Sequence, residues 1–175
     1  MYKLRELERA DMTTVNKWRN DPDLIACLGA PFRYINIDVD EAWYENYLRS
    51  RATAVRCAIV DDANEKKILG IISLTGVDSV NRSAELHIMI GEAQDRGKGL
   101  GLFAVRSIVE HGFLNMNLNR IEVSLLETNL AAQKLYEKAG FKLEGLRRCS
   151  NYKNGHYVSA LIMGLLKDEY VFGEG

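Results

Sequence analysis

Gly97, Gly99 and Gly101 alternate within Gln94-Asp95-Arg96-Gly97-Lys98-Gly99-Leu100-Gly101, directly after the apolar run Leu86-His87-Ile88-Met89-Ile90. The run has the character of a strand, and the residues that follow have a helical period. A glycine-rich turn entering a helix presents several backbone N–H groups and the positive end of the helix dipole at one point, which is an anion site with phosphate as the obvious guest. Side chains at the three glycines would block the approach of a pyrophosphate to those amides, while Arg96 and Lys98 add charge around the rim. Alone, the glycines equally ease a tight turn. Spacing separates the known phosphate sites: a P-loop needs Ser or Thr after its Gly-Lys, whereas Gly99 follows Lys98. The dinucleotide fingerprint needs a third glycine where Leu102 stands, and it belongs early in a parallel βαβ unit.

The elements that must hold this turn are legible on both sides of it. Lys3 to Leu7 reads as an opening strand, and Asp11 as the cap of a helix carrying Met12, Val15 and Trp18, ending near Asn20-Asp21-Pro22. Leu24 to Ile37 is irregular, and Asp38 or Asp40 caps a second helix with Trp43, Tyr44, Tyr47 and Leu48. Val55 to Val60, Ile68 to Thr75 and Ala84 to Ile90 read as antiparallel strands, separated by turn-rich Asp61 to Lys66 and Asp78 to Arg82. After the glycines come a helix through Phe113, a strand over Arg120 to Leu126, and a helix from about Asn129 to Ala139 stopped by Gly140. Strands around Phe141 to Cys149 and Tyr157 to Leu166 complete the order. With no repeat or linker, residues 1–175 read as one domain.

Composition narrows the class. Hydrophobic residues make up 47% and charged residues 27%, with two prolines, the balance of an ordinary globular protein. A net charge of −1 argues against nucleic-acid and membrane partners, which call for a basic excess. Cys27, Cys57 and Cys149 lack the spacing of a disulfide framework or a zinc site and read as buried thiols, so no metal is expected. Neither a signal peptide nor a transmembrane window is evident, which makes the expected location cytoplasmic.

A second motif follows the glycines: Asn129-x-x-Ala132-x-x-x-Tyr136-Glu137-Lys138-Ala139-Gly140-Phe141. Together with Gln94-x-x-Gly97-x-Gly99 it resembles the paired motifs of the GNAT family of N-acetyltransferases, and the element order from Lys3 to Leu166 is similar to that family's. The resemblance implies an α+β fold with a mostly antiparallel, twisted sheet of about seven strands flanked by about four helices. It implies acetyl-CoA as cosubstrate, its pyrophosphate on the turn of Arg96, Gly97, Lys98, Gly99, Leu100 and Gly101. By the same resemblance, the backbone of Ile88, Met89 and Ile90 pairs with the pantetheine arm and polarises the acetyl carbonyl, and a homodimer is possible.

Acetyl transfer to an amine needs a neutral nucleophile, stabilisation of the carbonyl oxygen and a proton for the departing thiolate. Tyr136 resembles the family tyrosine near the coenzyme sulfur that supplies this proton; otherwise it is a packed helix tyrosine. Asn129 resembles the residue that hydrogen-bonds the pantetheine arm and is equally a good N-cap. Glu85 resembles the glutamate that accepts the amine proton, and His87 shares its face by the strand period of two as a second candidate base.

Motifs are most similar to the spermidine-type branch and to the ribosomal-protein alanine and amino-sugar branches, whose ending Asn151-x-x-Asn154-Gly155-x-Tyr157 shares. The expected acceptor is a primary amine of a small molecule or a peptide N-terminus. Asp21, Asp23, Asp38, Asp40 and Glu41 make the front acidic, as a polyamine would want, or else cap helices and hold solvent. Leu28-Gly29-Ala30-Pro31-Phe32-Arg33 departs from the spermidine type by offering a cation. Trp18, Phe32, Trp43, Tyr44 and Tyr47 could wall an acceptor site or fill the core, and Arg19 and Arg33 could hold an acceptor anion. Two readings of other classes stand beside the enzyme: a non-catalytic acyl-CoA-binding regulatory module and a nucleotide- or RNA-binding scaffold.

Overall fold

A computed structural model describes residues 1–173; the last two residues of the expected domain lie outside the described ones. One seven-stranded sheet runs in the order β1-β2-β3-β4-β5-β7-β6. Its strands are β1 (Tyr2–Glu6), β2 (Val55–Asp61), β3 (Asn64–Asp78), β4 (Ser83–Ile90), β5 (Arg120–Leu126), β6 (Lys142–Lys153) and β7 (His156–Leu166). Every neighbouring pair is antiparallel except β4 and β5.

Strand alternation divides the core into two layers. Leu74, Leu86, Ile121, Val123, Met163 and Leu165 point to the face covered by α4 (Leu100–Leu114) and α5 (Leu130–Lys138). The α4 residues Leu100, Ala104, Val105, Ile108, Val109 and Phe113 recur at helical spacing and are all buried there. The opposite face meets α1 (Met12–Arg19), α2 (Pro22–Ala26) and α3 (Ile37–Arg49), with Met12, Val15, Trp18, Ala58, Val60 and Met89 in contact. Trp18 packs against the end of β4, so close that a Cβ on Gly91 would stand 2.0 Å from the indole ring. Only glycine fits there, and the contact fixes α1 over the end of the strand that leads into the glycine turn.

The front of the chain departs from expectation. α2 occupies Pro22–Ala26 inside the segment read as irregular, with Pro22 at its start and the Asp21 carboxylate accepting from the N–H groups of Asp23 and Leu24. This makes five α-helices among the described residues, where about four were expected. Asn36 caps α3, accepting from the Val39 N–H, in place of Asp38 or Asp40. Asp40 instead turns inward, fully buried, where it accepts from Asn16 Nδ2 at 2.7 Å and pairs with Arg19. Neither Asp40 nor Arg19 is therefore free for an acceptor. β3 begins at Asn64, so the hairpin after β2 is tighter than the stretch Asp61 to Lys66 suggested. The cysteines are not buried: Cys27 and Cys149 are exposed and Cys57 is half-buried. Cys27 follows the short helix α2 at the surface, and Cys149 sits at positive φ in an irregular part of edge strand β6.

Asp40 is fully buried and Arg19 half-buried, so Asp40→Ala removes the acceptor of Asn16 and leaves the guanidinium partly to solvent. The variant is expected to lower the unfolding free energy by about 2 kcal/mol, measured by urea denaturation.

Candidate active site

The sheet splits at its centre. β4 and β5 pair only through Ser83–Arg120, Ala84–Ile121 and Glu85–Glu122. Beyond that point Leu86–Ile90 stay with β3 while Val123–Leu126 stay with β7. One edge of each strand is left with unpaired backbone donors and acceptors, facing each other across a wedge. Ile88, Met89 and Ile90 line one side of it, and Glu85 marks its vertex.

The glycine turn closes the wide end. Gly97 and Gly99 have φ of 74° and 84°, the left-handed region that glycine adopts without cost. A Cβ built on either would find no atom within 4 Å, so no neighbour fills the space beside the turn. Gly99 is the N-cap of α4, and the first amides of this fifteen-residue helix have no side-chain cap. Bare amides, a helix dipole and open space fit a diphosphate. Gly101 serves a different need, since its Cβ would lie 3.2 Å from Leu135 Cδ2 at the crossing of α4 and α5. Arg96 folds back, donating from Nη2 to the Gly91 carbonyl at 3.1 Å, and so ties the turn to the end of β4. Lys98 is exposed and has no partner among the described residues. Leu100 is buried and anchors the first turn of α4.

Glu85 and His87 share a face, as their spacing implied, with His87 Nε2 3.7 Å from Glu85 Oε2 and 3.0 Å from Thr75 Oγ1. Burial depresses the imidazole pKa, the Glu85 charge opposes that shift, and Arg56 adds to it. His87 is thereby kept neutral at pH 7 and able to take a proton. Glu122 was not foreseen in the sequence. Its register with Glu85 puts both carboxylates on one face at the vertex, because their neighbours Ala84 and Ile121 both enter the opposite core layer. Arg120 Nη2 reaches Glu122 at 3.2 Å, while its fork is held by Glu144, with Nη1 2.7 Å from Glu144 Oε1.

The Tyr136 ring is 4% exposed and packs edge-on against Phe141, with centroids 5.4 Å apart. Among the described residues no group hydrogen-bonds its hydroxyl. The hydroxyl is nevertheless not sealed, since the enclosed side-chain polar atoms without a partner among the described residues are Arg56 Nε and Asp95 Oδ2. Burial pushes the phenol pKa upward, so Tyr136 stays protonated through the neutral range.

Asn129 is engaged at both ends. Its Oδ1 caps α5 by accepting from the Ala132 N–H at 3.0 Å, and its Nδ2 donates to the Cys27 carbonyl at 3.0 Å. From β6, Asn151 Nδ2 donates to the Gly29 carbonyl at 3.0 Å, and Lys153 Nζ donates to the carbonyls of Ile25, at 3.0 Å, and Ala30. Lys153 is only 7% exposed and meets no carboxylate there; burial lowers its pKa. Three side chains distant in sequence therefore clasp the segment 25–30 between α5 and the β6–β7 hairpin. Lys153→Met keeps the apolar stem but leaves two carbonyls unpaired. It is expected to lower the local opening free energy of this segment by about 2 kcal/mol, read as faster amide exchange at Leu28 and Gly29.

A sheet parted between its fourth and fifth strands, with a bare helix N-terminus at the mouth, is an arrangement able to seat a diphosphate-bearing acyl carrier such as acyl-CoA. A family profile described as "Acetyltransferase (GNAT) domain" matches residues 2–142, and the chain belongs to the GNAT family. It is an acetyl-CoA-dependent N-acetyltransferase. The chain is 28% identical over 169 residues to spermidine N(1)-acetyltransferase of Vibrio cholerae, covering 96% of this chain and 94% of that one. It is 28% identical to spermidine N(1)-acetyltransferase of Escherichia coli K12, covering 97% and 88%. It is 33% identical over 103 residues to a putative ribosomal N-acetyltransferase of Bacillus subtilis, covering 59% and 56%. A crystal structure of the Vibrio cholerae spermidine N-acetyltransferase in complex with CoA and spermine superposes with a TM-score of 0.89 at 26% identity, covering 97% of both chains. Among the described residues no His, Cys, Asp and Glu cluster is placed to hold a metal ion, and no helix is long and apolar enough to cross a membrane.

Proposed function

We propose that this enzyme acetylates a primary amine of a small polyamine, with Glu85 as the base and Tyr136 as the acid. The observation that carries the reading is the parting of β4 from β5 directly after Glu85, which leaves two carboxylates, Glu85 and Glu122, at the vertex of the wedge. An incoming ammonium is drawn to such a pair, because Arg120 is shared between Glu122 and Glu144 and does not neutralise both. The similarity to spermidine acetyltransferases along nearly the whole chain supports the same acceptor class.

Acetyl-CoA, when bound, supplies a thioester and a thiol leaving group. Gly97, Lys98, Gly99 and Leu100, with Arg96 and Gly101 shaping the turn, hold its diphosphate. The backbone of Ile88, Met89 and Ile90 and the Asn129 amide align its arm. Glu85 removes the proton that an alkylammonium would otherwise retain at neutral pH, with neutral His87 beside it as the second candidate base. Tyr136 donates to the departing sulfur, its phenol remaining protonated because its ring is buried. The reading includes a single cytoplasmic domain over residues 1–175 without nucleic-acid or membrane partners. It also includes a homodimer, for which edge strand β6 offers exposed Leu143 and Leu146.

Thiol release measured across spermidine, spermine, glucosamine, an aminoglycoside and an alanine-initiated peptide tests the acceptor. A polyamine is expected to give the highest kcat/KM, and Glu122→Gln to raise its KM about tenfold with kcat little changed. Preference for the peptide or the amino sugar would reject the polyamine assignment.

A further inference from the structure

A neutral imidazole carries one N–H and one lone pair, on different nitrogens, and the neighbours of each nitrogen decide which is which. In His87 the nitrogen turned toward the vertex of the wedge is Nε2, with Thr75 Oγ1 at 3.0 Å and Glu85 Oε2 at 3.7 Å. Thr75 and Glu85 are directly opposite each other on β3 and β4, so both oxygens come from one cross-strand pair. A hydroxyl can donate or accept, whereas a carboxylate only accepts. A lone pair on Nε2 would face the Glu85 charge unfavourably. An N–H there donates to Thr75 and turns its positive end to that charge. The surroundings therefore favour the proton on Nε2, and the lone pair falls to Nδ1, whose direction diverges from it.

The rest of that sheet face keeps the ring at one proton. Arg56 is opposite Ser73 on β3, and Ser73 is opposite His87, so the three side chains form a row across the sheet. The Arg56 guanidinium stacks on the Trp43 ring of α3 at 4.6 Å, which holds the cation on this face. Burial disfavours a second proton on the His87 ring, Glu85 favours one and Arg56 disfavours it, with a net direction downward. Tyr47, also from α3, adds no charge, because burial and its hydrogen bond to Glu6 push its phenol up to about 12.

We propose that Thr75 is a positioning residue for acetyl transfer: its hydroxyl accepts the His87 Nε2–H, and His87 so held is a donor at the vertex of the wedge and not the group that takes the amine proton. The inference rests on Glu85 as the base. An amine drawn to Glu85 and Glu122 meets an N–H on His87, and its proton passes to the Glu85 carboxylate. Long-range proton–nitrogen NMR correlations on the ligand-free chain at neutral pH are expected to show His87 protonated at Nε2. Thr75→Val keeps a β-branched strand residue but removes the hydroxyl. It is expected to mix the two tautomers and to lower kcat about tenfold with both KM values unchanged, because a loose ring no longer holds its N–H beside Glu85. Thr75→Ser restores the single tautomer and the rate. His87→Gln keeps a donor near the place of Nε2 but has no basic nitrogen, and retains at least about ten times the kcat of Glu85→Gln. The tautomer is read without acceptor, so an acceptor other than a polyamine would leave that result standing. A proton on Nδ1 in the wild type, a wild-type kcat in Thr75→Val, or a His87→Gln as slow as Glu85→Gln would overturn the proposal. A wild-type kcat in Glu85→Gln would remove the base it rests on, and the proposal with it.

Discussion

Tyr136→Phe lowers kcat at least about 10²-fold and leaves both the acetyl-CoA dissociation constant and the melting temperature unchanged. The substitution removes one oxygen, and that oxygen makes no hydrogen bond among the described residues. Contact with Phe141 survives because the ring survives. Stability therefore has little to lose, whereas the leaving sulfur loses its proton source. Burial raises the phenol pKa, so the wild-type group remains a neutral donor at the pH where the amine must be deprotonated. Steady-state thiol release, beside a thermal melt, separates the two effects. An unchanged kcat would make Tyr136 a packing residue.

Gly99→Asn raises the acetyl-CoA dissociation constant more than tenfold, over about 1.4 kcal/mol. Asparagine is the informative replacement because it tolerates the left-handed region better than other side chains, and Gly99 sits at φ 84°. Folding strain is thus kept small while a side chain enters the space beside the helix amides. No protein atom lies within 4 Å of the new Cβ, so only a ligand in that space can register its presence. Calorimetry on a variant with near-native melting decides it. Unchanged affinity would mean that the diphosphate binds elsewhere.

The two motifs were readable because their function lies in backbone and spacing. Glycine adopts positive φ more readily than any other residue type, so the positions that need it, as at Gly97, Gly99 and Gly140, leave a mark in the sequence. β5 was read at its observed bounds, Arg120–Leu126, since its alternation is bounded by polar residues on both sides. The front of the chain was harder. α2 is too short for a hydrophobic period, and Asn36, Asp38 and Asp40 are all credible caps until the path of the loop is known. Asp40 is buried because Arg19 and Asn16 on α1 meet it, a contact between helices that local pattern does not encode.

The candidate site divides the same way. The strand period put Glu85 and His87 on one face, where their side chains come within 3.7 Å of each other. Glu122 escaped notice because its importance comes from register with β4 across a parallel pairing of three residue pairs. Lys153 and Asn151 hold carbonyls more than a hundred residues away in sequence, and their clasp on the segment 25–30 has no local signature. A lysine near a hairpin turn reads as solvated until the fold brings Ile25 and Ala30 to it.

The central claim is that the turn of residues 96–101 cradles the diphosphate of the coenzyme. A crystal structure of the protein with coenzyme A tests it most directly. The account predicts diphosphate oxygens on the amides of residues 97–101, with the pantetheine arm running between β4 and β5 toward Glu85. Diphosphate density away from that turn, or an arm that bypasses the wedge, would contradict it.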